Sequence, residues 1–279
     1  MQCQRDALVN ILPLWMREDF QQHRLDELQE IRLRVNMPVE LRYSNHNLFS
    51  AKVATRDDIA FCINTASKYS PWSAQTISCG YITAPGGHRI GISGTVVSLN
   101  GRITGLNNLT SISIRISRDF PGLARKAASL TGSTLIIGPP GSGKTTFLRD
   151  FIRQTSNSGL CVSVVDERCE IFPLVNGQFS FPVGKHTDVM SGCTKAYGIE
   201  TMLRSMTPDV IAMDEITAAE DCKALQYAGW CGVSLIATAH AGCRQDLFSR
   251  IVYKPLTVLG LFENLLILNR DKSWTLERM

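Results

Sequence analysis

The chain has 279 residues, 44% hydrophobic and 19% charged, with a formal net charge of +4. Those values fit an ordinary globular protein long enough for two cored domains, and exclude a disordered or fibrous chain. No run of 18 apolar residues offers a membrane span, and Met1-Gln-Cys-Gln-Arg-Asp lacks the apolar core of a secretory signal.

Nine cysteines include no C-x-x-C pair, so neither a zinc ribbon nor a disulfide framework is indicated, and a reducing cytosol is expected. Cys161 and Cys231 lie in apolar segments and are expected in the core. Fifteen basic and ten acidic residues precede residue 131, against fourteen and fifteen after it. That slight basic excess suits an anionic surface but is too small to name one.

Residues 1–125 are expected to form the first domain, an α/β (α+β) unit with its linker. Leu8 to Phe20 and Arg24 to Gln29 suggest helices. Glu30 to Val35 and Val39 to Tyr43 alternate in the manner of half-buried strands. Asp57 to Tyr69 is amphipathic at helical spacing. Ile77 to Thr83, Gly87 to Gly94, Thr95 to Leu99 and Ser111 to Ser117 predict an antiparallel sheet, with Asn100-Gly101 as a hairpin turn. Pro121-Gly122 marks a hinge, and Leu123 to Leu130 a connecting helix.

From residue 126 to 279 strands and helices alternate, which predicts an α/β domain with a mainly parallel sheet. Thr134 to Ile137 is a short apolar strand, and Thr146 to Arg153 is helical. Between them, Gly138, Pro139, Pro140, Gly141, Ser142, Gly143, Lys144 and Thr145 spell the G-x-x-x-x-G-K-T phosphate loop, followed by Thr146. Glycines let backbone N–H groups turn inward around phosphate oxygens, and the helix N-terminus adds its dipole. Lys144 can reach the β- and γ-phosphates of ATP, and the Thr145 hydroxyl can ligate Mg²⁺.

Val210 to Met213 is an apolar strand that ends in Asp214 and Glu215. Asp214 is expected to hold Mg²⁺ through its water shell, and Glu215 to polarise the attacking water. That pair favours a hydrolysing ATPase over a GTPase. Asn269-Arg270-Asp271-Lys272 does not make a guanine-reading motif. Val233 to His240 predicts a strand carrying Thr238 and His240 at its end, where His240 can sense the γ-phosphate. Cys161 to Val165 runs into Asp166-Glu167-Arg168 and Glu170. These acids either face the metal and water or form a solvated turn with an internal ion pair.

In order and spacing, Glu30-Ile-Arg-Leu-Arg, Tyr81 to Gly91, Ile114 to Arg118, the phosphate loop, Val165 to Arg168, Thr187-Asp188-Val, Arg204 to Asp209 and Asp214-Glu-Ile216 resemble the stage III sporulation protein AA family. That family is similar to the ring ATPases of type II and type IV secretion and of pilus machines. The resemblance implies a RecA-like P-loop ATPase domain behind a smaller N-terminal domain, assembled as a hexamer with nucleotide between subunits. It implies Walker A roles for Lys144 and Thr145, Walker B roles for Asp214 and Glu215, an acidic box at Asp166 and Glu167, and a histidine box at His240. Arg89, Arg115 and Arg118 lie in segments resembling those that send arginines to a neighbouring nucleotide. The implied partners are membrane components of a transport complex between mother cell and forespore, with the protein peripheral on the mother-cell side. One departure stands out: Thr217-Ala218-Ala219 replaces the family's usual glycine and arginine.

The alternatives are a nucleic-acid-dependent RecA-like motor and a nucleotide switch of negligible turnover. Tyr43, Tyr69, Trp72 and Tyr81 are scattered and form no evident base-stacking platform, which makes nucleic acid the weaker partner.

Overall fold

The computed structural model describes residues 5–20, 27–43, 45–67, 80–99, 102–175 and 177–279. The chain forms two compact units. The first is Met1–Arg118 with Pro173–Phe181, and the second is Asp119–Phe172 with Pro182–Met279.

The first unit holds a six-stranded antiparallel sheet in the order β3-β2-β1-β6-β5-β4. Its strands are β1 (Leu28–Arg34), β2 (Pro38–Tyr43), β3 (Asn47–Val53), β4 (Tyr81–Ala84), β5 (His88–Leu99) and β6 (Arg102–Arg115). Ile31, Leu33, Ile112 and Ile114 alternate with polar residues, so one face is apolar. That face shares a core with Leu8, Ile11, Met16, Ile59 and Cys62. Those residues come from α1 (Arg5–Asn10), α2 (Leu14–Phe20), α3 (Arg56–Ser67) and the turn between the first two helices. Gly94 sits at a register shift in β5, where a Cβ would meet the Asn107 carbonyl at 2.6 Å.

Several expectations change here. Leu28 and Gln29 belong to β1 rather than to a helix, because they join the ladders of that strand. The expected strands at 87–94 and 95–99 are one strand, β5, and β6 begins well before Ser111. Leu123 to Leu130 is a run of turns with bonds such as Ala127 N–H to Ala124 C=O, not a regular helix. Residues 24–26, 68, 69 and 77–79, and the Asn100-Gly101 turn, lie outside the described residues. The segment Pro173–Phe181, inside the sequence of the second unit, contributes the short hairpin β9 (Leu174–Val175) and β10 (Gln178–Phe179) to the first unit.

The second unit is a seven-stranded sheet in the order β11-β8-β12-β13-β7-β14-β15. These are β7 (Thr134–Ile137), β8 (Val162–Asp166), β11 (Thr187–Ser191), β12 (Val210–Met213), β13 (Ser234–Ala239), β14 (Asn264–Leu268) and β15 (Trp274–Arg278). All neighbours pair in parallel except β15, which closes one edge as an antiparallel hairpin. Strands β7, β12 and β14 are buried along their whole length, as mainly apolar strands in a two-sided parallel sheet must be.

Leu135, Ile137, Ile211, Met213, Leu235 and Ala237 share a core with α5 (Lys195–Ser205), α6 (Ala219–Trp230), α7 (Arg244–Ser249) and α8 (Lys254–Val258). The helix after the phosphate loop, α4 (Lys144–Asn157), packs on β7, β8, β11 and β13 and buries Phe147, Leu148, Phe151 and Ile152. Cys161 and Cys231 are exposed rather than in the core, since each stands just outside an element end. Among the described residues, the buried free thiols are those of Cys62 and Cys222.

Candidate functional site

The site lies in the second unit, at the carboxyl ends of three adjacent strands. β7 delivers the phosphate loop, β12 delivers Asp214 and Glu215, and β13 stands between them and delivers His240. Gly141 and Gly143 take positive φ values of 77° and 98°, which L side chains rarely adopt. At Gly138 a Cβ would lie 2.6 Å from the Leu268 carbonyl and 2.6 Å from Ser142 Oγ, so only glycine fits.

Lys144 is buried, and its ammonium donates to the carbonyls of Gly138 at 2.8 Å and Pro139 at 3.1 Å. Its third contact is His240 Nδ1, at 3.1 Å. Burial holds its pKa below the ordinary lysine value, while the charges of Glu215 and Asp214 oppose that shift. His240 Nε2 lies 3.2 Å from Glu215 Oε1. An ammonium can only donate, so Nδ1 accepts and the ring proton sits on Nε2, the ring nitrogen nearer Glu215.

Thr145 Oγ1 donates to Asp214 Oδ2 at 3.1 Å, and Thr238 Oγ1 donates to Asp214 Oδ1 at 2.8 Å. Glu215 N–H donates to Asp214 Oδ1 at 2.9 Å, so Lys144, His240 and Glu215 stand in a series of polar contacts that continues to Asp214 and Thr145. Beside it opens a cleft of about 950 Å³ lined by Pro139, Pro140, Glu215, His240, Arg250 and Tyr253.

The residues fit a nucleotide phosphate chain. Ser142 Oγ is buried without a hydrogen-bond partner. Lys144 holds only neutral acceptors, which phosphate oxygens outbid. The paired hydroxyl and carboxylate of Thr145 and Asp214 are hard oxygen donors, the kind Mg²⁺ prefers. Among the described residues no cluster of three or more His, Cys, Asp or Glu side chains could cage a metal alone.

Asp166 and Glu167 are otherwise engaged. Asp166 is buried, and its carboxylate accepts the backbone N–H groups of Glu170, Ile171 and Phe172 at 2.8–3.0 Å. Burial pushes its pKa up to about 6 against those hydrogen bonds, and Asp214 adds to the rise. Arg149, from α4, donates to the Glu170 carbonyl of the same loop at 2.8 Å. Glu167 pairs with buried Lys195 at 2.7 Å, and Lys195 lies 3.7 Å from Asp221. Asp221 accepts the N–H groups of Thr217 and Ala218. This chain of contacts holds the Thr217-Ala218-Ala219 loop in place.

The three arginines of the first unit differ in setting. Arg115 is exposed and, among the described residues, makes no ion pair. Arg89 pairs with it across the ladder and lies over the Tyr81 ring, 4.5 Å from its centroid. Arg118 donates back to the Leu28 carbonyl.

Sequence reasoning missed Arg250, Tyr253 and Lys272. Tyr253 accepts the His240 N–H at 3.2 Å and donates to the Ile216 carbonyl at 3.3 Å, bracing both catalytic loops. Arg250 lines the cleft from beyond α7, paired with Asp246 at 3.0 Å. No local pattern announced these residues, because they reach the site by return of the chain.

The fold and the strand-end constellation define a RecA-like P-loop protein with an N-terminal antiparallel domain. Residues 2–276 match the family model "Sporulation stage III, protein AA", and the chain belongs to that family. It is 37% identical over 258 residues to the stage III sporulation protein AA of Bacillus subtilis, covering 88% of this chain and 84% of that protein. The fold is similar to the ATPase DotB of Legionella pneumophila, with a TM-score of 0.61 at 18% identity over 96% of this chain and 80% of that one. It is also similar to the pilus retraction motor PilT, solved with bound ADP. There the TM-score is 0.58 at 14% identity, over 91% of this chain and 76% of PilT.

Proposed function

We propose that this protein is a Mg²⁺-dependent ATPase, the motor subunit of a membrane-bound sporulation transport complex. The observation that carries the reading is the series of polar contacts from Lys144 through His240 to Glu215, beside Thr145 and Asp214. Gly138 to Thr146 cradle the phosphates, with Ser142 Oγ available as a further donor. Thr145 and Asp214 would hold Mg²⁺, which would supply positive charge to the phosphate oxygens.

Lys144 leaves the carbonyls of Gly138 and Pro139 for phosphate oxygens. Glu215 takes the proton of the attacking water as its oxygen bonds to the γ-phosphorus. The bond from that phosphorus to the β–γ bridging oxygen breaks, and ADP leaves with the pair. Once the ammonium of Lys144 moves, His240 Nδ1 is released, so the imidazole registers phosphate at the loop.

The fold likeness to DotB and PilT and the exposed Arg115 support a working oligomer, a hexameric ring with nucleotide shared between subunits. Family membership supports membrane-embedded sporulation components as partners. No helix among the described residues is long and apolar enough to cross a membrane, in keeping with a peripheral position.

The test pairs two variants. Lys144→Ala should abolish hydrolysis and weaken binding of MgATP by about ten-fold or more, the worth of a lost charge-assisted hydrogen bond. Glu215→Gln should keep affinity while turnover falls roughly 10²–10⁴-fold. Equal loss of binding in both variants, or undiminished turnover in Glu215→Gln, contradicts the assignment.

A further inference from the structure

The hairpin between β14 and β15 carries Asn269-Arg270-Asp271-Lys272, and its tip lies against the phosphate loop. Both ends of that loop fix its place. Ile267 of β14 pairs with Ile137 of β7, the residue before the loop begins. Trp274 of β15 packs edge-on against Phe147 of α4, with ring centroids 5.9 Å apart. The absence of a side chain at Gly138 lets the Leu268 carbonyl come close.

The tip is braced internally. Asn269 N–H donates to the Ser273 carbonyl at 2.9 Å, and Lys272 N–H donates to the Asn269 carbonyl at 3.1 Å. Asp271 accepts both the N–H and the hydroxyl of Ser273. This turn puts Lys272 at φ 71°, in the left-handed region. A glycine would sit there freely, whereas a lysine carries backbone strain.

The strained lysine extends to the phosphate loop. Lys272 Nζ donates to the Gly141 carbonyl at 2.6 Å, and lies 4.0 Å from where a Cβ of Gly143 would be. Among the described residues it has no ion pair. Lys144 grips the carbonyls at the start of the loop, and Lys272 grips the one at its tip. Two ammonium groups therefore bracket one anion-binding loop, each held by neutral carbonyls that phosphate oxygens displace. They differ in surroundings: Lys144 faces His240 and Glu215, while Lys272 is exposed on the outer rim.

We propose that Lys272 is a second phosphate-contacting cation of the nucleotide site, binding the diphosphate that ATP and ADP share. The inference rests on the nucleotide reading of the cleft. It explains why a turn suited to glycine holds a lysine, and why the hairpin is anchored on both sides of the loop. Lys272 sets affinity for nucleotide in either state, and Lys144 with His240 distinguishes the two states.

The experiment measures MgADP binding by calorimetry to the wild-type protein and to Lys272→Gly, Lys272→Met and Lys272→Arg, with thermal melts of each without nucleotide. MgATP is measured in the same variants carrying Glu215→Gln. Lys272→Gly and Lys272→Met should weaken ADP and ATP alike, by roughly ten-fold, with Lys272→Arg close to wild type. Lys272→Gly should melt no lower than wild type, because the glycine relieves the left-handed strain. Unchanged ADP affinity in Lys272→Gly overturns the inference. So does a lowered melting point in which Lys272→Arg shares the loss of affinity, which makes the lysine a brace. A wild-type protein that binds neither nucleotide removes the reading of the whole cleft, and is told apart from these results by the first titration alone.

Discussion

His240 Nδ1 accepts a hydrogen bond from the Lys144 ammonium at 3.1 Å, which ties the phosphate-loop lysine to the histidine at the end of β13. The other ring nitrogen lies 3.2 Å from Glu215. In the proposed mechanism a change at the lysine is thereby passed to the Glu215 carboxylate. The link is one imidazole long, and its direction is set by the lysine having only protons to give.

His240→Ala should therefore leave nucleotide affinity within about three-fold of wild type, since Lys144 keeps its carbonyl partners and loses one neutral hydrogen bond. The difference between ATP-bound and ADP-bound forms should disappear, read as nucleotide-dependent assembly by sedimentation. If the two forms of the variant still differ as in wild type, His240 is no sensor. A lowered melting point with the difference intact would mark it as packing for Tyr253.

The stability of the second unit should carry a signature of Asp166. Burial raises its folded-state pKa to about 6, above the ordinary carboxyl value near 4. A carboxyl held more tightly protonated in the folded state stabilises most below its unfolded value. That contribution is lost as pH rises from about 4 through 6. Asparagine does not titrate, so wild type should lose ground to Asp166→Asn across that window, by an amount on the order of 2–3 kcal/mol. Melts of both proteins from pH 4 to 7.5 check the sign. A gap that moves the other way would mean that the three backbone N–H bonds to Asp166 outweigh its desolvation.

The legible part of the site was the part written in consecutive residues. Gly138 to Thr146, Asp214 and Glu215 each sit where a strand hands over to a loop, and local pattern locates such points. What the sequence did not display was strand order. β13 lies between β7 and β12, and that alone brings His240 between Lys144 and Glu215. Lys272 and Tyr253 escaped notice for the same reason, since only the return of the chain brings them near. In the first unit, alternation along 111–117 buries Ile112, Ile114 and Ile116 and leaves Arg115 exposed. Arg118 lies past the end of β6, where alternation no longer applies, and it folds back on Leu28. The first half of β6 is rich in Gly and Asn, weak strand formers, and is extended because β5 pairs with it.

The remaining question is what completes the site with positive charge on the side away from Lys144. A phosphoryl-transfer transition state spreads charge over the equatorial oxygens, and a placed guanidinium is worth roughly 10³–10⁵ in rate. The Thr217-Ala218-Ala219 loop offers no arginine and is held by Asp221. Arg250 in the cleft is tied to Asp246 by two bonds. Arg115 has no such tie: it is exposed on the polar face of its sheet with Arg89 beside it across the ladder. An arginine reaching a neighbouring subunit's nucleotide needs that freedom, and Arg118 lacks it. Arg115→Ala should thus bind MgATP nearly as wild type, yet lose most of its turnover. Lys144→Ala subunits, which keep Arg115, should rescue it when the two dead preparations are mixed, because a mixed ring contains interfaces with an intact loop facing an intact arginine. Random mixing at equal amounts should restore up to about a quarter of wild-type activity, as the product of two one-half probabilities, if Arg115 acts across the interface. Adding Arg118→Ala to the Arg115→Ala subunit should lower its melting point without changing the rescue per folded subunit. Verified mixed oligomers that stay inactive would place Arg115 outside the neighbouring site.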